Sequence, residues 1–271
     1  MKNRLQMLCT AALLTVCLNL FGGWTNVAPE PTEYRYGDAH LLSVYSTETV
    51  SFISKDTSVQ NATAGNAPKY YAPADLSDAC GAVAGAIVVG YYDKYFPDLI
   101  DGWTSHFSSG KYRKQDQTYI PAVIRELYTS MRTNIDGKGV SENDFLNGLR
   151  QYVSARNHTA AFTCVATESS IDFAACKNAI DNNSLIVLFA HAGNVYQYTG
   201  GANTDSIETV TVTDSHIMIA YGYFQIKYYN ASGLFRTDTY LQTVVTNDSN
   251  SAYFYKTETH NLASAYIVNI T

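Results

Sequence analysis

Charge is scarce in this chain of 271 residues. Asp, Glu, Lys and Arg make up 15% of it, and 18 basic residues stand against 24 acidic ones, a net charge of −6. No basic stripe is available to neutralise phosphates, so nucleic acid is excluded as a partner. Metal-ligand spacing is missing too. There is no Cys-x-x-Cys and no His-Glu-x-x-His, and no metal site is expected. No Gly-rich turn follows a candidate strand, which removes the usual phosphate cradle, and no cofactor is implied. Asn134 to Gly139 has a faint calcium-loop flavour but reads better as a turn between helices. There is no internal repeat, which excludes a solenoid. What is abundant is apolar: 46% of residues are hydrophobic, and 22 are tyrosine. That is enough for a full core and excludes a disordered chain.

The first 28 residues read as a signal peptide. Lys2 and Arg4 precede an uncharged run from Leu5 to Trp24, and Gly22, Gly23, Ala28 and Pro29 provide a small-residue exit. A basic start, an apolar middle and a small-residue end are the pattern of secretion. The expected product is secreted to the extracellular space, acidic and soluble. It should have no membrane contact once the peptide is cleaved, because no second spanning run follows. Cys9 and Cys17 leave with that peptide, so Cys80, Cys164 and Cys176 remain. In an oxidising compartment the economical pairing is a Cys164–Cys176 disulfide, which leaves Cys80 as the thiol available for chemistry.

Residues 29–66 read as an N-terminal extension, either a pro-segment and linker or an edge hairpin. Residues 40–53 partly alternate apolar and polar, as strands do. Residues 54–68 are rich in Ser, Thr, Asn, Ala and Gly and read as linker or surface loop. Residues 67–271 then form the main domain. Ala79 to Tyr92 carries no charge and is too short to span a membrane, so it is expected to be a central helix buried on all sides. Ser77 and Asp78 are placed to cap it. Helical spacing recurs from Ile120 to Met131, and again after a capping-box-like start at Ser141. From Ala160 the period shifts toward strands, with a short helix at 171–180 and a turn at Asn230 to Gly233. Helices first and then an antiparallel sheet give an α+β fold, with the central helix and its companions packed on that sheet.

A thiol heading a buried helix sits where backbone N–H groups and the helix dipole favour thiolate, so Cys80 is the candidate nucleophile. Gly81 would let the backbone approach a substrate carbonyl. A thiol nucleophile needs a base. His216 opens an apolar strand and is the first candidate; His191, at the end of the 185–190 strand, is the alternative. His40, His106, His158 and His260 lie in polar surroundings and read as surface residues. Asn247 and Asp248 end a long strand, and alternation lets only one of them meet the imidazole. The resting pair is expected to be largely thiolate and imidazolium.

Three blocks carry a family likeness. Tyr70 to Ala84 with the apolar helix ending in Gly90, Tyr91 and Tyr92, then His216 to Tyr223, then Val245 to Asp248, resemble papain-like cysteine peptidases. They are most similar to the bacteriocin-processing-peptidase-like branch, in the order Cys, His, Asp, over residues 67–256. The resemblance implies a papain-like fold. It implies Cys80 as nucleophile, His216 as general base and acid, and Asp248 rather than Asn247 as the orienting carboxylate. Ala74 stands where the family has a Gln as second oxyanion donor, and Ala82 where a Pro is frequent. The implied function is a monomeric secreted peptidase that hydrolyses a peptide or protein substrate through an acyl-thioenzyme. The alternatives are a transglutaminase-like acyltransferase on the same fold, or a non-catalytic secreted pseudoenzyme or adhesin.

Overall fold

A helix apolar on every side must be enclosed by protein, and the architecture is arranged around one such helix. The computed structural model describes residues 35–37, 41–61, 67–103, 118–135, 137, 139–167, 170–245, 253–258 and 261–271. Residues 1–28, read from the sequence as a signal peptide, lie outside them. Along the chain, β1 (Arg35–Tyr36), β2 (Leu41–Ser51) and β3 (Ser54–Asn61) precede the central helix α1 (Cys80–Tyr92). Helix α2 (Tyr119–Ser130), the short β4 (Val140–Ser141) and α3 (Glu142–Ser154) follow. Next come β5 (Ala160–Thr167), β6 (Ser170–Ile171), α4 (Phe173–Asp181), β7 (Leu185–Ala190), β8 (Gly193–Thr199) and β9 (Thr204–Val212). The chain ends with β10 (His216–Asn230), β11 (Gly233–Val245), β12 (Tyr253–Lys256) and β13 (Leu262–Ile270).

Every residue of α1 is buried. Its glycines are where neighbours come closest. A methyl group on Gly85 would lie 2.7 Å from Met131 Cε, and one on Gly90 would overlap the Tyr70 ring. Amphipathic α2 buries Ile120, Val123, Ile124 and Leu127. The Ser141 side chain caps α3 by accepting from the Asp144 N–H at 3.1 Å, as the capping-box pattern anticipates. Asp172 caps α4 in the same way through the Ala175 N–H at 2.9 Å.

Among the described residues, four helices accompany an 11-stranded sheet whose pairings are antiparallel, in the order β2-β9-β8-β12-β11-β10-β7-β13-β5-β6, with β3 joined to β10. Strand β10 is the spine. One edge lies along β11, and the other is shared by β7, opposite residues 216–220, and β3, opposite residues 222–229. Alternation along β10 sorts its side chains between two cores. Ile217, Ile219 and Tyr221 pack with α1, α2 and α3, while Met218 and Ala220 pack with Cys176 and Ile180 of α4. A third cluster of Val50, Phe52, Ile207, Phe224, Ile226, Tyr228 and Tyr240 fills the far half of the sheet.

The mixed α and β content and the large antiparallel sheet agree with the sequence reading. The composition of residues 54–68 misleads, however. Ser54–Asn61 is not linker but strand β3, paired residue by residue with β10. A polar edge strand needs no apolar face of its own, because its partner supplies the ladder and its outward side meets water. Strand β2 does not pair with β3; it runs along β9. No helix among the described residues is long and apolar enough to cross a membrane.

Candidate active site

The N-terminal turn of α1 and the first residues of β10 meet at one end of the sheet. The position of a Gly81 Cβ is closed off by the Val140 side chain and by Ile217 Cδ1 at 3.5 Å, so the residue after Cys80 lies against the residue after His216. That contact gives Gly81 a packing role. The space its missing Cβ leaves is filled by β4 and β10, so protein packing by itself requires the glycine.

Cys80 and His216 are each 0% exposed. Strand β1 pairs with β4, and the chain continues from it to Gly37, whose N–H donates to Ser215 O at 3.2 Å. The Gly37 carbonyl accepts a hydrogen bond from His216 Nδ1 at 3.1 Å. On its other side, a Cβ at Gly37 would lie 2.6 Å from Asp78 Oδ1. Gly37 is therefore wedged between the histidine and the residue two before the cysteine. Burial pushes His216 down to about 4, against the Gly37 bond, which raises it. Its ring is neutral at pH 7. The imidazolium expected at rest is not the state this environment favours, because desolvation penalises the charged form.

Helix α1 begins without the side-chain cap expected from Ser77 and Asp78. Its N-cap is Ala79, with no side-chain hydrogen bond, and Asp78 adopts a positive φ of 52°. The segment is held from outside. The Asn134 side-chain amide donates to Ser77 O, Ser77 Oγ and Tyr128 OH at 2.9–3.1 Å. Asn134 Oδ1 in turn accepts from the Gly139 N–H at 2.6 Å. Asn134 and Gly139, at the two ends of the stretch with calcium-loop flavour, thus clamp the approach to Cys80. Neither Asn134 nor Gly37 was singled out from the sequence as a site residue, and only the turn-forming composition around Asn134 gave any signal.

No protein-family model, no curated protein and no solved structure matches this chain. The site must therefore be read from its own geometry.

His191, the alternative base, is half-buried at the same end of the sheet. It follows Ala190, the β7 partner of His216, and its N–H donates to Asn261 O at 2.7 Å. His158 lies elsewhere, with Nε2 2.9 Å from Asp98 Oδ1. His40, His106 and His260 lie outside the described residues, as do Asn247 and Asp248, which follow the end of β11. Ala74 is exposed in a turn.

The Cys164–Cys176 disulfide is not formed; both are free thiols. The reason is strand alternation. Cys164 shares the face of β5 with Phe162, which packs on the α1 core, whereas Cys176 is buried in the other core with Val165 and Ile180. Cys164 Sγ is exposed and donates to Ala166 O at 3.2 Å.

Proposed function

We propose that this protein is a secreted cysteine peptidase of papain-like fold, with Cys80 as nucleophile and His216 as general base and acid. The observation that carries the reading is the junction itself. A thiol heads the fully enclosed central helix, and the one fully buried histidine of the described residues, its Nδ1 committed to a backbone carbonyl, immediately precedes Ile217, the β10 residue that packs against the helix start. In this reading Cys80 gives its proton to His216 Nε2, and Sγ forms a bond to the carbonyl carbon of a peptide. The proton then passes to the leaving amine as the C–N bond breaks, and water, deprotonated by the same ring, hydrolyses the thioester. The first-turn N–H groups of α1 are the natural oxyanion donors. Asp248, the carboxylate that the resemblance adds, follows β11.

The test is covalent labelling of the secreted protein with an epoxide-type cysteine-peptidase inhibitor, followed by peptide mapping. The label should fall on Cys80 and disappear in His216→Ala. Labelling of Cys164 alone would reject the reading. One observation favours a second reading, a non-catalytic pseudoenzyme or adhesin: Cys80 and His216 are both closed off from solvent, and Ala74 carries no donor. That reading gives no label on Cys80 at any pH. The transglutaminase-like alternative would label Cys80 equally, but would incorporate a fluorescent amine into casein with little hydrolysis.

A further inference from the structure

The residues before α1 were expected to be an extension of the domain, yet one of them holds the candidate base. An imidazole has two ring nitrogens, and a carbonyl oxygen only accepts. The nitrogen facing Gly37 O, Nδ1, therefore carries the proton, and Nε2 is left as the basic site of the neutral ring. A neutral ring held in this way keeps its proton on Nδ1 and its lone pair on Nε2.

The strap that presents this carbonyl is anchored on several sides. Arg35 and Tyr36 pair with Ser141 and Val140, and the Tyr36 ring lies 5.2 Å from that of Phe189, edge to face. Gly37 N–H is tied to Ser215 O, next to the histidine. Behind the strap, Gly139 has a φ of 74°, and a Cβ there would fall on the Tyr36 carbonyl. The strap fits only over a glycine on one side and only with a glycine facing Asp78 on the other.

We propose that the segment Arg35–Gly37 is an orienting element of the site, its Gly37 carbonyl fixing His216 in the Nδ1–H tautomer with Nε2 as the base. Gly37 is a positioning residue. The purpose of that orientation rests on the peptidase reading; the hydrogen bond and the tautomer do not.

The experiment is long-range 1H–15N correlation of the His216 ring in the full chain between pH 6 and 8, alongside casein hydrolysis. The wild type should show a protonated Nδ1 and a bare Nε2. Gly37→Val and Gly139→Ala push the strap from opposite sides. Each should mix the tautomers and lower kcat about tenfold or more with little change in KM. Adding Asp78→Gly to Gly37→Val removes the opposing carboxylate and suits the positive φ, so it should restore both readouts in part. A wild-type ring protonated at Nε2 would overturn the proposal, and that measurement stands even if a variant fails to fold. So would strap variants with wild-type tautomer and kcat, or loss of the Nδ1 proton in Asp248→Ala alone. An Nδ1–H ring lost in the strap variants, in a protein whose Cys80 takes no epoxide, keeps the strap and sinks the peptidase reading. An epoxide-labelled Cys80 with an Nε2–H ring does the reverse.

Discussion

Burial without solvent contact penalises a charged imidazole, and that gives His216 a signature independent of any activity. Its displacement from 6.5 to about 4 corresponds to about 3 kcal/mol between the protonation states. The sign follows from proton uptake. Below about 6.5 the unfolded chain binds a proton that the folded ring refuses, so this contribution to stability is lost as pH falls from about 6.5 to about 4, and no further below that. Urea unfolding of wild type and His216→Asn at pH 7 and pH 4 isolates it. The wild type should lose about 3 kcal/mol more than the variant across that interval, and parallel losses would show that the ring is not buried neutral. The cysteines separate in the same way by environment. Burial pushes the Cys176 thiol up to about 12, with Asp172 adding to the effect, whereas Cys164 is exposed. Iodoacetamide at pH 8 should modify Cys164 in the native protein and reach Cys176 only after unfolding. Recovery of a 164–176 cross-linked peptide would contradict the separation of the two faces.

At the scale of elements, the helices position the site through contacts that small residues permit. Helix α3 crosses the end of α2 at Gly148, where a Cβ would lie 2.7 Å from the backbone N and Cα of Met131. Backbone cannot step aside as a side chain can, so Gly148→Ala should destabilise by about 1–3 kcal/mol. Gly85→Ala meets the flexible tip of the same Met131 at 2.7 Å and should be tolerated better. Urea midpoints of the two variants decide, and a larger loss at Gly85 would show that the α1–α2 contact is the stiffer one. These helices were legible in the sequence because each signal is local. The charge-free run fixed α1, periodicity fixed α2, and Ser141 fixed the start of α3. Strand β10 was legible as an apolar run with a turn at Asn230. Strand β3 was not, since Ser54–Asn61 has no apolar face and becomes a strand only because β10 is beside it. Strand β8 was missed for a related reason: its tyrosines and Gln197 alternate poorly, and β9 and β12 define it. Of the candidate site, Cys80 and His216 drew attention through their local settings, while the Gly37 contact links residues separated by 179 positions and left no trace in spacing.

For the whole molecule, the question is where the working chain begins. Composition suggests a removable stretch as far as residue 66, but the fold incorporates its described residues at three places. Strand β1 is laid on β4 and reaches His216 through Gly37; β2 covers the edge of β9; and β3 covers residues 222–229 of β10. Between these strands, Val50 and Phe52 are buried in the third core cluster, and Lys55 Nζ lies 2.6 Å from Asp205, whose side chain is wholly buried. Removing residues up to 61 would expose two strand edges, open that cluster and leave the Asp205 carboxylate without its cation. Each of these is destabilising, because the two ladders, the burial of Val50 and Phe52 and the Lys55–Asp205 ion pair are all lost together. An enzyme matured by cleavage at residue 66 would also lose the carbonyl that holds its base. The species that takes the epoxide label should therefore begin before Arg35. Intact-mass measurement of the labelled secreted protein, with N-terminal sequencing, reads this directly. Cleavage anywhere upstream of Arg35 is compatible with the fold. A labelled, fully active species that starts after Asn61, with no N-terminal fragment retained, would show that the strap and the two strands are dispensable.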